Sequence, residues 1–361
     1  GLIETVGSGE PRIDFSNDAK GALLLEPTRS NLFQYSEDFN QSYWGKADIS
    51  IDSNAEISPD GLLNADRFTE GTGSAQHRIF VIPPVVSGSA YTISFYVKRN
   101  IGNRGFKIDS LHTGMRVDFN LINGTIISES NGTGSIENFG NGWYKCSVSG
   151  VSTSTSGGTY FSPTLNGSQT FTGDGTSSFS LYGVQLEQGS YATSYIPTQG
   201  SAVTRVADDC NNSANAQIIN STEGVLYAQI SALSNSGNTY RLIGLNNGSG
   251  TNTNRIFIGY TNNNSIYAAI NDTTIAFTVS SFDVKNFNKV AVVYNGSIAK
   301  LFINGSEVGS GITNAPTLSG LSRVDFSGSS TGANEFKGNT KDVRVYNTAL
   351  TDTELQALTR I

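Results

Sequence analysis

The chain has little charge, little histidine and almost no cysteine, and each shortage closes off a class of function. Of 361 residues only 15% are charged and 37% hydrophobic, and uncharged polar residues with 40 glycines fill the difference. The net charge is −7 and no run of Lys or Arg exists, so the electrostatic footprint of a nucleic-acid binder is missing. No stretch of about 20 apolar residues is present, so membrane insertion is not expected. The opening GLIETVGSGEPR lacks the basic and apolar regions of a signal peptide and reads as a cut from a longer chain. Cys146 falls in a strand-like run and Cys210 in a linker, which predicts a buried thiol at Cys146 rather than a disulfide framework. Serine-type catalysis needs a histidine base, and only His77 and His112 exist. Neither lies near a nucleophile signature such as G-x-S-x-G, and both are expected at partly exposed strand ends.

What the chain has in abundance is strands and turns. In YTISFYVKRN (91–100), Tyr91, Ile93, Phe95 and Val97 alternate with Thr92, Ser94, Tyr96 and Lys98, the period-two pattern of a half-buried strand. The runs 105–110, 115–120, 124–130, 143–151 and 178–188 read the same way, with Asn-Gly turns at 123–124, 131–132 and 141–142 between them. A second series starts after residue 215, with a hairpin at AKLFINGSEVG (299–309). Thr351-Asp352-Thr353-Glu354 has the spacing of a capping box, and Leu355 and Leu358 follow on one face of the helix it starts. The stretch 192–216 is poor in strand signals. The expected fold is all-β: two tandem antiparallel β-sandwiches and a short C-terminal helix. The expected division is a lead-in over 1–29 holding one apolar strand (GALLLE, 21–26), a first module over 30–207 and a second over 208–361.

Three separated runs carry a resemblance: GALLLEPTRSNLFQYSEDFNQSYWGK (21–46), GWYKCSVSG (142–150) and YGVQLEQGSYATSYIPTQGSAVTRVAD (182–208). Together they resemble the carbohydrate-binding-like jelly-roll module of bacteriophage tail, fibre and capsid-decoration proteins. The second half is similar to the laminin-G-like, concanavalin-A-like jelly roll, through FNKVAVVYNGSIAKLFINGSEVGS (287–310) and KDVRVYNTALTDTELQAL (341–358). The first resemblance implies a virion surface protein, with other virion proteins as partners and a homotrimer as one assembly. The second implies a fold more than a function. Retaining glucanases of that second fold carry alternating acids of the form E-x-D-x-x-E, and no such string occurs here.

The remaining chemistry is aromatic and polar. Sugars present apolar C–H faces that stack on exposed aromatic rings while amides and charged groups take the hydroxyls. Alternation sets Trp143 opposite Cys146 and Val148, so it faces away from the core, to stack a ligand or to pack under a loop. Trp44 is expected to pack against the sandwich end. Candidate ligand contacts are Tyr96 and Lys98 on one strand face, Asp109 and Lys107 on another, and Arg78 and Tyr160 beside them. In the second module Arg241, Asn246, Arg255 and Tyr267 are comparable. Glu37, Asp38 and Glu187 are expected where the first and last strands of module one meet. There, as the jelly-roll resemblance implies, they would hold a structural Ca²⁺. The leading functional expectation is a non-catalytic virion protein adhering to glycans or polysaccharides. The alternatives are a purely structural virion spacer and an accessory binding fragment of a secreted bacterial polysaccharide-degrading protein.

Overall fold

Two hydrophobic cores organise the chain, and they do not follow its order. The structure, a computed structural model, describes residues 3–16, 19–110, 114–235, 239–251, 253–271, 275–296 and 298–361. One unit comprises Thr28–Val206 with the N-terminal residues up to Thr5, and the other comprises Val6–Pro27 and Ala207–Ile361.

The first unit is a sandwich of two six-stranded antiparallel sheets. The front sheet has the order Thr125–Ser130, Met115–Asn120, Gly105–Ser110, Thr159–Thr164, Arg78–Val81, Gly45–Ala47. The back sheet has the order Thr133–Gly140, Trp143–Val151, Ala90–Ile101, Ser178–Gln188, Leu63–Glu70, Ile49–Ile57. The expected alternation is realised inward: Ile79, Ile108 and Phe161 of the front sheet meet Ile93, Phe95 and Val148 of the back sheet in one core. Cys146 is a free thiol within this core, and burial pushes its pKa well up. The Asn141-Gly142 turn joins Gly140 to its partner Trp143 with both residues at positive φ, 52° and 82°, as a two-residue hairpin requires.

The strand Ser178–Gln188 does not keep a single alternation. Phe179 and Leu181 face the core, and so do Val184 and Leu186. The register shifts between Tyr182 and Gln185, around Gly183 at φ 61°, which is the signature of a β-bulge. Asn31 satisfies the backbone at this irregularity. Its amide donates to Val184 O at 3.1 Å and Ile196 O at 2.9 Å, and its Oδ1 accepts from Phe33 N and Leu186 N, both at 3.1 Å. The residue is fully buried with every hydrogen-bonding position used.

The second unit pairs a seven-stranded sheet with a five-stranded one. The larger has the order Ile13–Asp14, Ala22–Leu25, Gly338–Tyr346, Glu223–Ala232, Asn288–Asn295, Ile298–Ile303, Ser306–Thr313. The smaller has the order Ile275–Val279, Ile266–Ile270, Arg255–Tyr260, Arg241–Asn246, Arg323–Asp325. The apolar strand of the expected lead-in is thus no separate segment. It pairs with Gly338–Tyr346, and Leu25 joins the core of this unit. The first unit is inserted, in chain order, between two strands of the second. Where the chain leaves and re-enters the second unit, Arg12 bridges Glu26 and Asp208, and Asp208 N donates to Glu26 O at 3.0 Å. The C-terminal helix, Asp352–Thr359, has the capping box on Thr351 and Glu354, and Leu355 is buried against Val225, Tyr227 and Phe302.

Both tryptophans, Trp44 and Trp143, lie in the first unit, so tryptophan fluorescence reports its unfolding alone. Asn31→Asp removes both donors to buried carbonyls and places a charge there. It should lower the stability of this unit by about 3 kcal/mol or more, read as a shift in the urea midpoint of tryptophan fluorescence. Leu25→Ala should cost about 2–4 kcal/mol in the second unit only. The circular-dichroism transition should move while the fluorescence transition stays.

Candidate functional site

The outer faces of the two sheets of the first unit differ in kind. On the back sheet that face is sealed. Tyr96, Trp143, Tyr182 and Ala65 form a buried cluster, with Phe139 and Tyr195 packed on it. Trp143 does face away from the main core, as alternation requires, but it is only 2% exposed and donates from Nε1 to Ile57 O at 3.0 Å. Tyr96 is 5% exposed, with its ring 5.0 Å from that of Phe139. Lys98 is tied to Glu56 at 3.2 Å. Tyr96 and Lys98 therefore do not offer the expected solvated binding face, and of the two readings of Trp143 the packed one holds, not ligand stacking. A half-buried strand was read from sequence, and a second aromatic layer covers its polar side. Within that layer Tyr182 donates to Asp60 at 2.9 Å and Tyr195 to Glu37 at 2.7 Å. Burial first, then the Glu37 and Asp60 charges, push the Tyr182 phenol far up.

The front sheet carries a different outer face. Strand register sets Phe80 opposite Tyr160, Tyr160 opposite Asp109, and Asp109 opposite Arg116. A parallel row runs Ser162, Lys107, Asp118, Ser128. At the 4.8 Å strand spacing, the row from Phe80 to Arg116 extends roughly 14 Å. Phe80 and Tyr160 are half-buried, with ring centroids 5.7 Å apart and planes 32° from parallel. Both lie low because glycines are beneath them. A Cβ at Gly45 would come within 2.3 Å of the Phe80 ring, and one at Gly158 within 2.6 Å of the Tyr160 ring. The Arg78 guanidinium rests on the pair, 4.3 Å from the Tyr160 centroid and 5.4 Å from that of Phe80. Asp109 is ion-paired with Arg116 at 3.2 Å.

The far end of the face is closed by residues 165–170. Gly167 O accepts from Lys107 Nζ at 3.4 Å, and Gln169 Nε2 donates to Ser162 Oγ at 3.1 Å. Asp118 is buried beside Gly167 and accepts from Thr164 Oγ1 at 3.1 Å. Burial raises its carboxyl above the ordinary value, and the Thr164 hydroxyl and the Lys107 charge only partly offset this.

The structure thus gathers Arg78, Tyr160 and Asp109 on one face and sets Tyr96, Lys98 and Trp143 on another. Phe80, Arg116 and Gln169 join the first group and were not singled out from sequence. The short run Arg78–Val81 held the signal for Phe80, since Arg78 and Phe80 alternate with the core residues Ile79 and Val81. Trp44 packs at the sandwich end among Phe33, Phe39, Tyr43 and Phe161, with Nε1 donating to Tyr35 O. His77 is fully buried rather than at an exposed strand end, with ring nitrogens 2.8 Å from Asp48 O and 3.2 Å from Phe171 O. His112 lies outside the described residues.

In the second unit, Arg241 is on the inner side of the five-stranded sheet, opposite Tyr260 and 5.1 Å from its ring. This corrects its expected place on a solvated face: the strand's inner parity begins at residue 241, ahead of Ile243 and Leu245. Tyr267 and Arg255 lie on the outer side. Tyr267 packs on a small cluster of Leu242, Phe257 and Ala269, and Arg255 donates to Gly328 O at 2.7 Å. Asn246 donates to Asp325 at 2.7 Å. Burial alone would raise the Asp325 carboxyl, but bonds from Arg323, Asn246 and Asn212 N bring it below its ordinary value.

The expected calcium ligands do not form a common set. Glu37 accepts from Tyr195. Asp38 accepts from Asn40 N and Gln41 within its own turn. Glu187 is fully buried and accepts from Thr193 N at 3.0 Å and from the Thr193 hydroxyl. Among the described residues no three His, Cys, Asp or Glu side chains gather to hold a metal. The bulge at Gly183 accounts for the place of Glu187, which it turns outward under the segment after the strand.

Residues 212–356 match the sequence profile of the concanavalin A-like lectin/glucanases superfamily. No curated protein matches the chain. Among solved structures, it is similar to the CBM40 module of the Ruminococcus gnavus IT-sialidase bound to α2,3-sialyllactose. That match has 17% identity over 43% of this chain and 97% of the other, with a TM-score of 0.35. A SAP-like pentraxin of Limulus polyphemus has 13% identity over 41% and 74%, TM-score 0.34. The NanB sialidase of Streptococcus pneumoniae has 17% identity over 39% and 25%, TM-score 0.31. Among the described residues no helix is long and apolar enough to cross a membrane.

Burial holds the Glu187 carboxyl above the ordinary glutamate value of 4.5, although Thr193 and Gln185 partly offset it. The folded state therefore binds this proton more tightly than the unfolded state does. Its contribution to stability is complete below 4.5 and is lost as pH rises through the folded value. Glu187→Gln should flatten the fall in the fluorescence urea midpoint between about pH 4 and pH 7. Parallel profiles for the two proteins would show that the side chain does not titrate in this way.

Proposed function

We propose that this protein is a non-catalytic glycan-binding protein whose first unit binds saccharide on the outer face of its front sheet. The observation that carries this is the Phe80–Tyr160 pair, two half-buried rings on a sheet face with the Arg78 guanidinium over them and the Asp109–Arg116 pair in the next two strands. A pyranose ring has apolar C–H groups to lie on such rings and hydroxyls for the flanking carboxylate, guanidinium and amide. The match of residues 212–356 to a superfamily that includes lectins is in keeping with it. Asp118, whose carboxyl burial raises above the ordinary value, is buried and bonded to Thr164. Placement on a virion surface, where the protein would adhere to host or environmental glycans, is also proposed. Its support is the resemblance carried by residues 21–208.

Tyr160→Ala should weaken binding of the best saccharide found on a glycan array by about 30-fold, or about 2 kcal/mol. The fluorescence-detected unfolding of the first unit should change little, because the ring lies outside the core. An array with no bound saccharide would sink the proposal. So would equal binding by the Tyr160→Ala protein.

A further inference from the structure

Charge on the front face is nearly all accounted for, with one exception. Arg116 holds Asp109, Lys107 donates to Gly167 O, and Asp118 accepts from Thr164. Among the described residues the Arg78 side chain has no hydrogen-bond or ion-pair partner, and its Nε is buried without one. Other arginines of the chain are used differently: Arg12, Arg104 and Arg323 each hold a carboxylate. In a chain of net charge −7, carboxylates are plentiful, yet among the described residues none pairs with Arg78. The side chain lies instead on the Tyr160 and Phe80 rings, whose negative faces stabilise a cation without using its N–H groups. Such a guanidinium is fixed in place, partly desolvated and still able to donate from its outer edge.

A planar fork of parallel N–H donors matches a carboxylate in a bidentate arrangement, which an ammonium does not. A neutral sugar would leave that charge uncompensated at the platform. We infer that the ligand of this face is a carboxylate-bearing saccharide, with its carboxylate on Arg78 and its ring packed beside the Phe80–Tyr160 pair. This rests on the glycan-binding reading above.

The test uses the full chain on an array of neutral, sulfated and carboxylate-bearing oligosaccharides together with the methyl esters of the last group. The best-bound saccharides should carry a free carboxylate. Methyl esterification of the best of them should weaken binding about 10- to 100-fold, as loss of a charge-assisted hydrogen-bond pair does. Arg78→Gln should weaken the free acid by a similar factor and leave binding of its ester nearly unchanged. Arg78→Lys, which keeps the charge and loses the fork, should fall between the two. Binding of the free acid should also weaken with added salt. Fluorescence-detected unfolding of each variant shows whether the first unit remains folded. If Arg78→Gln does not fold, the comparison of acid with ester on the unchanged protein decides. Best binding to neutral or sulfated saccharides overturns the inference and leaves glycan binding standing, as does equal binding of acid and ester. No binding to any saccharide overturns both.

Discussion

The buried amide of Asn31 holds the first unit in its form. Its four hydrogen bonds reach Phe33, Val184, Leu186 and Ile196, and so tie residues 31–33 to 184–196, more than 150 positions along the chain. They compensate the bulge in the strand Ser178–Gln188. A buried backbone group without a partner is costly, so the bulge at Gly183 is tolerable only with such a side chain beside it. The consequences spread from there. Beyond the bulge Val184 and Leu186 continue the core, while Gln185 and Glu187 turn to the other side and bind Ile196 N and Thr193. Without it, the parity of Phe179 and Leu181 would carry Glu187 into the apolar core.

The same pleat that builds the core decides where a ligand can go. Each sheet has an outer face. On the back sheet Tyr96, Trp143 and Tyr182 pack together and are covered, with Trp143 and Tyr182 hydrogen-bonded to Ile57 O and Asp60, so aromatic content there is structural. On the front sheet small residues, Gly45 and Gly158, let two rings lie low under the Arg78 guanidinium, and charged side chains occupy the next strands. The proposed binding face is thus defined as much by glycine as by the aromatic residues. The motifs that carry the first resemblance are occupied with the scaffold: Asn31 at the bulge, Trp44 at the sandwich end, Trp143 under the back layer. They report the fold, and the candidate site lies largely outside them.

Strand content, the Asn-Gly hairpins and the capped helix were legible in the sequence because each depends on neighbours in the chain: alternation over a few residues, positive φ at a turn, a side chain reaching three residues along. The inward faces of Ala90–Ile101 and Trp143–Val151 followed directly. Arg78, Tyr160 and Asp109 were recognisable as polar-face residues for the same reason. Their adjacency was not, because it comes from the pairing of strands some fifty to eighty positions apart.

Local pattern by itself determined that this is an all-β chain with two strand series and which side of most strands is apolar. Only the tertiary structure decided what lies against the other side. It placed the strand Ala22–Leu25 in the sheet of the second unit, because an apolar strand needs a paired edge and a core. It buried Tyr96 and Trp143 beneath a second layer, left Phe80 and Tyr160 half-buried under Arg78, and separated Glu37, Asp38 and Glu187 among different partners. Each of these outcomes depends on contacts between segments distant in sequence, and alternation carries no information about them.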